Sequence, residues 1–98
     1  MTEAVGTFKR TGGARLAAGY EALAQMEEAT GHYHEALREL ARAGKVWESV
    51  KAQHVGELMR NLEHRVFLFD LLRQPREAAY LREQAAALAL ATRWVEAG

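Results

Sequence analysis

Four histidines, a single serine and one adjacent pair of glutamates are the residues in this 98-residue chain whose types suit chemistry. His32 and His34 flank Tyr33, and with Glu35 they supply the imidazole and carboxylate donors that zinc or nickel takes. Ligands on a helix face one ion at spacings of three or four, however, and no histidine follows where a zinc-protease helix needs it, so no metal site is expected. His54 and His64 stand about 15 Å apart by helical rise, too far to share an ion. Ser49 lacks the glycine elbow that exposes a catalytic hydroxyl. Glu27 and Glu28 are adjacent on a helix, where they neither face each other nor lose water, so they read as solvated charge. The absence of cysteine removes disulfides, thiolate metal sites and cysteine nucleophiles. Trp47 and Trp94 are large enough to anchor a partner and equally suited to filling a small core. No catalytic residue and no cofactor are assigned.

The elements that would carry these residues are helices. Alanine and leucine dominate, isoleucine is absent and Pro75 is the only proline, a balance that favours helix over strand. Residues 1–13 carry Gly6, Gly12, Gly13 and the pair Lys9-Arg10 and read as a flexible arm; residues 14–98 read as one helical domain. Leu16, Tyr20, Leu23 and Ala24 set a first helical face, stopped by Thr30-Gly31. Tyr33, Ala36, Leu37, Leu40, Ala41 and Ala43 set a second, with a bend or break expected near Gly44-Lys45. From Val46 to Pro75 no turn signal interrupts the pattern, and Val55, Met59, Leu62, Val66 and Phe69 step by four and three, which predicts one long helix. Phe67, Leu68, Leu71 and Leu72 widen its apolar face, as expected of a helix set between others. The expected core is therefore Leu16, Tyr20, Leu23, Tyr33, Leu37, Leu40, Val55, Met59, Leu62, Val66 and Phe69. Pro75 breaks or kinks the long helix, and Ala78, Leu81, Ala85, Leu88 and Val95 then form a narrow heptad seam flanked by Trp94, which predicts a coiled-coil-like final helix.

Tyr20, Leu23, Ala24, Gly31, Tyr33, Ala36, Leu40 and Ala43 together resemble one tetratricopeptide repeat, a helix-turn-helix unit of about 34 residues, best in the stretch Gly31 to Leu37. The likeness covers residues 17 to about 48, with Glu27 at the usual aromatic position and Glu48 at the closing proline; no second full repeat is visible. Residues 33 to 90, with Arg76-Glu77-Ala78 and Leu81-Arg82, also resemble the segment in bacterial signalling proteins, such as diguanylate cyclases and sensor kinases, where the last repeat passes into a helical stalk. That resemblance implies a module that relays or dimerises, with catalysis located elsewhere.

Thirteen basic and thirteen acidic residues leave no net charge to attract phosphate, so nucleic acid is not an expected partner. No apolar run approaches the roughly 20 residues that span a bilayer and no secretory signal opens the chain, so a cytoplasmic location is expected. The all-α chain, a repeat-like hairpin followed by a long helix and a seam, is thus expected to be a non-catalytic interaction and dimerisation module. Its expected partner is a second copy, held through Ala78, Leu81, Ala85, Leu88, Val95 and Trp94, or another protein. The alternative is a small helical ligand binder or enzyme with His32, His54 or His64 acting in an inter-helix pocket.

Overall fold

The computed structural model describes residues 12–97, with side chains as far as Arg93. The expected arm, apart from Gly12 and Gly13, lies outside the described residues, as do the side chains of Trp94 and Val95. The described residues form four helices: α1 (Gly13–Ala29), α2 (Tyr33–Ser49), α3 (Val55–Leu71) and α4 (Pro75–Ala97). α1 packs on α2, α2 on α3 and α3 on α4, giving two antiparallel hairpins in a slab of 43 × 34 × 17 Å. No helix among the described residues is long and apolar enough to cross a membrane.

The two hairpin turns are built alike. After α1, Gly31 takes φ +82°, the amide of His32 donates to the Glu27 carbonyl at 2.7 Å and that of Gly31 to Glu28 at 3.0 Å. This is the crossed pair of bonds that closes a helix C-terminus around a left-handed residue. After α3, Arg73 takes φ 59°, the amide of Gln74 donates to Phe69 at 2.8 Å and that of Arg73 to Asp70 at 3.1 Å. Arginine has a Cβ that crowds the left-handed conformation, at about 1–2 kcal/mol. Pro75 follows as the first residue of α4, where its missing N–H is no loss.

Between the hairpins the structure departs from the sequence pattern. α2 runs unbroken through Gly44 to Ser49, and the single long helix expected from Val46 is instead interrupted at residues 50–54. Gly44 is buried in the helix interior because side chains from α3 occupy the space a Cβ would need: that atom would lie 2.9 Å from Asn61 Oδ1 and 3.1 Å from Arg65 Nη1. Close packing thereby offsets the helical penalty of glycine, about 1 kcal/mol. The true end of α2 has no glycine or proline. The Ser49 hydroxyl donates to the Val46 carbonyl at 2.6 Å, and the amides of Val50, Gln53 and His54 each bond three residues back, tightening the chain into turns. His54 precedes α3, its Nδ1 bonded to the Glu57 carboxylate, and its ring lies 5.2 Å from that of Trp47.

Alanines set the α1–α2 contact. Ala17 and Ala24 on α1 and Ala36 and Ala43 on α2 are each 0% exposed, two pairs seven residues apart that let the backbones approach. Leu16 and Leu23, expected in the core, are 46% and 48% exposed. Each precedes a seam alanine, and one residue is about 100° of rotation, which carries the leucines onto the flank. One cluster joins Ala17, Ala43, Trp47, Leu58, Leu62 and Leu81 from all four helices, with Tyr20 and Val66 partly buried against it. The other joins Ala24, Ala36, Leu37, Leu40 and Leu68, with Tyr33 against it, and Phe69 touches both. Val55 and Met59 are partly buried, since α3 turns Leu58, Asn61, Leu62 and Leu68 inward.

Candidate functional site

The groove between α1 and α3 gathers most of the polar side chains that bond between helices. These two helices meet through side chains, and Glu21 on α1 is the centre of the contact. Its Oε2 accepts from Trp47 Nε1 at 3.0 Å and from Asn61 Nδ2 at 3.0 Å. Asn61 Nδ2 also donates to the Leu40 carbonyl at 2.9 Å, so one carboxylate and one amide tie α1, α2 and α3 together. Both partners of Nδ2 are acceptors, which settles the orientation of the amide. Asn61 is 2% exposed, a polar residue between Leu58 and Leu62 whose only sequence signal is its place in an apolar stripe.

Above this floor the groove has two ends that share Gln25. One, of about 470 Å³, is lined by Glu21, Gln25, Arg60, Asn61, Glu63 and His64. The other, of about 450 Å³, is lined by Gln25, Glu28, Ala29, Tyr33, Phe67 and Leu71. His64 Nε2 and Glu28 Oε2, 2.8 Å apart, bridge α1 and α3 where the two ends meet. Phe67 and Leu71, expected to widen a core face, are 58% and 49% exposed one turn apart on α3. The polar end is rich in hydrogen-bonding groups and the other in apolar surface. Among the described residues no serine, threonine or cysteine lines either end, so none of these offers the His64–Glu28 pair a hydroxyl or thiol to activate.

The other candidate residues are dispersed. His32 Nδ1 lies 2.7 Å from Thr30 Oγ1 in the first turn, His34 is exposed and His54 is engaged with Glu57 in the α2–α3 connection. The Glu57 carboxyl is held below the ordinary glutamate value of 4.5, chiefly by its hydrogen bond with His54. Trp47 is 4% exposed and serves the core, so it offers no face to a partner. Part of the seam expected to meet a second copy is covered within the single chain. Ala78 and Leu81 are 0% and 4% exposed within the single chain, and Ala85 and Leu88 are partly buried against the same cluster. The break at residues 50–54 folds the α3–α4 hairpin back onto α1 and α2, so Leu81 is covered by Ala17, Ala43 and Trp47 as well as by Leu58 and Leu62.

Comparison of the chain with protein-family models, curated proteins and solved structures finds no match.

Proposed function

We propose that this chain is a non-catalytic protein–protein interaction module that receives an amphipathic partner segment in the groove between α1 and α3. The observation that carries the proposal is the exposure of Phe67 and Leu71 across the groove from Ala29 and Tyr33. Large apolar side chains one turn apart in a groove are the anchor points that a helical or extended segment uses. The carboxylates of Glu21, Glu28 and Glu63 outnumber the guanidinium of Arg60 along the lining, so the matching segment carries lysine or arginine beside its apolar pair.

Two features support a repeat-like architecture behind this role. The bounds Gly13, Ala29 and Tyr33 recur 42 residues on as Val55, Leu71 and Pro75, and the two turns use equivalent bonds and equivalent left-handed residues. Stacked hairpins of this kind expose a concave face along their first helices, here α1 and α3. The resemblance to tetratricopeptide repeats and to the relay segments of bacterial signalling proteins is in keeping with such a face, with catalysis outside this chain. Selection of displayed peptides against the protein tests the proposal. Selected peptides carry an apolar pair one turn apart with adjacent basic residues, and Phe67→Asp and Leu71→Asp, at exposed positions, abolish their binding while the far-ultraviolet circular dichroism is unchanged. Retention of binding by both variants overturns it.

A further inference from the structure

Arg65 is a side chain of α3 whose placement neither the groove nor the core explains. It is partly buried, its Nε is sealed from solvent without a hydrogen-bond partner, and it joins no ion pair among the described residues. A guanidinium taken from water without a counter-charge is costly, and burial accordingly pushes its pKa down. It is held there by the bare α-carbon of Gly44, beside which Nη1 rests. The residue also lines a cleft of about 300 Å³ between α3 and α4, with Phe69, Arg76, Glu77, Tyr80 and Leu81. No residue of this cleft lines the groove between α1 and α3.

We propose that this cleft is a binding site for a small carboxylate with an apolar body. Arg65 and Arg76 line it with two cationic side chains against the single carboxylate of Glu77, the buried Nε of Arg65 lacks a partner, and guanidinium matches carboxylate in plane and in hydrogen-bond geometry. Phe69, Leu81 and the ring of Tyr80, which is 62% exposed, supply apolar surface for the remainder of the ligand. The volume is at the lower end for small-molecule sites and admits a single aromatic or branched aliphatic group. Such a carboxylate is either a free organic acid or the C-terminal residue of a peptide. Glu77 competes for the same cations and weakens the site.

Titration with 3-phenylpropionate, its amide, and acetylated tripeptides ending in phenylalanine with free or amidated C-termini tests the site, followed by the NMR signal of Arg65 Nε–H. The free acids saturate and shift this signal, while the amides bind at least tenfold more weakly. Arg65→Gln and Arg76→Gln weaken the acid, and Glu77→Gln tightens it severalfold. The free peptide binding tenfold more tightly than phenylpropionate assigns the site to C-termini, and equal affinity assigns it to free acids. Acid and amide binding alike, or the absence of saturation at millimolar concentration, overturns the proposal. Should Arg65→Gln unfold, the opposite shifts expected of Arg76→Gln and Glu77→Gln decide the matter, since both positions are exposed. Equal affinities in those two variants overturn it.

Discussion

Replacing Gly44 with alanine sets helix propensity against packing. In an open helix the change stabilises by about 1 kcal/mol. Here the new methyl would lie 2.9 Å from Asn61 Oδ1 and 3.1 Å from Arg65 Nη1. Arg65 can withdraw the end of a long side chain, but Asn61 is fixed by the bonds from Nδ2 to Glu21 and to the Leu40 carbonyl. Moving Asn61 loses both bonds at about 0.5–1.5 kcal/mol each and strands buried polar groups at about 1–3 kcal/mol. Gly44→Ala is therefore expected to destabilise by about 1–5 kcal/mol net, which lowers the melting temperature by about 4–8 °C per kcal/mol in a domain of this size. Gly19→Ala is the control: it is exposed in α1 with nothing within 4 Å of the new methyl, and it gains about 1 kcal/mol. Urea unfolding followed at 222 nm measures both. In an Asn61→Ala background the Gly44 substitution regains most of the helical benefit, because the fixed obstacle is gone. Stabilisation by Gly44→Ala equal to that by Gly19→Ala would refute the close approach of α3 to α2 at this point.

Three further outcomes follow from the geometry. Arg73→Gly relieves a left-handed arginine and raises stability by about 0.5–1 kcal/mol in chemical denaturation, whereas Gly31→Ala at the equivalent turn lowers it by about 1 kcal/mol. Leu81→Glu places a charge among Ala17, Trp47, Leu58 and Leu62 and costs several kcal/mol out of a total of about 5–15, so circular dichroism registers an unfolded chain; a folded monomer by light scattering would place the cover of Leu81 outside the chain. Because the folded Glu57 carboxyl titrates below its unfolded value of 4.5, its contribution is present above pH 4.5 and is lost as pH falls through the folded value. His54→Ala removes the bond responsible, so the variant loses less stability on acidification than the wild type in melts between pH 6 and pH 3.

The ends of the hairpins were legible because their signals are local. Gly31 marks a left-handed position and Pro75 a helix start, and each acts through its own backbone. The end of α2 was not, since Ser49, His54 and Glu57 make that turn with side-chain bonds in place of glycine or proline. The spacing His54-x-x-Glu57 is that of a capping box with histidine replacing serine, although the His54 side chain bonds the Glu57 carboxylate and caps no backbone amide. Gly44 reads as a helix breaker when judged by propensity alone, because Asn61 and Arg65, which fill its notch, come from another helix. The α1 face was displaced by one residue because leucine outweighs alanine in apolar patterning, while close helix contact favours the smaller side chain. Of the groove, the sequence pattern marks Tyr33 as core and sets Phe67 and Leu71 within a bundle, whereas the structure leaves Phe67 and Leu71 open.

The most direct test of the groove is an amide chemical-shift map of the wild-type protein titrated with a peptide selected for binding to it. Shifts concentrated at Gln25, Glu28, Ala29, Tyr33, Phe67 and Leu71, absent in the Phe67→Asp protein, are the expected result. Shifts confined to α4, or unchanged by Phe67→Asp, would contradict it.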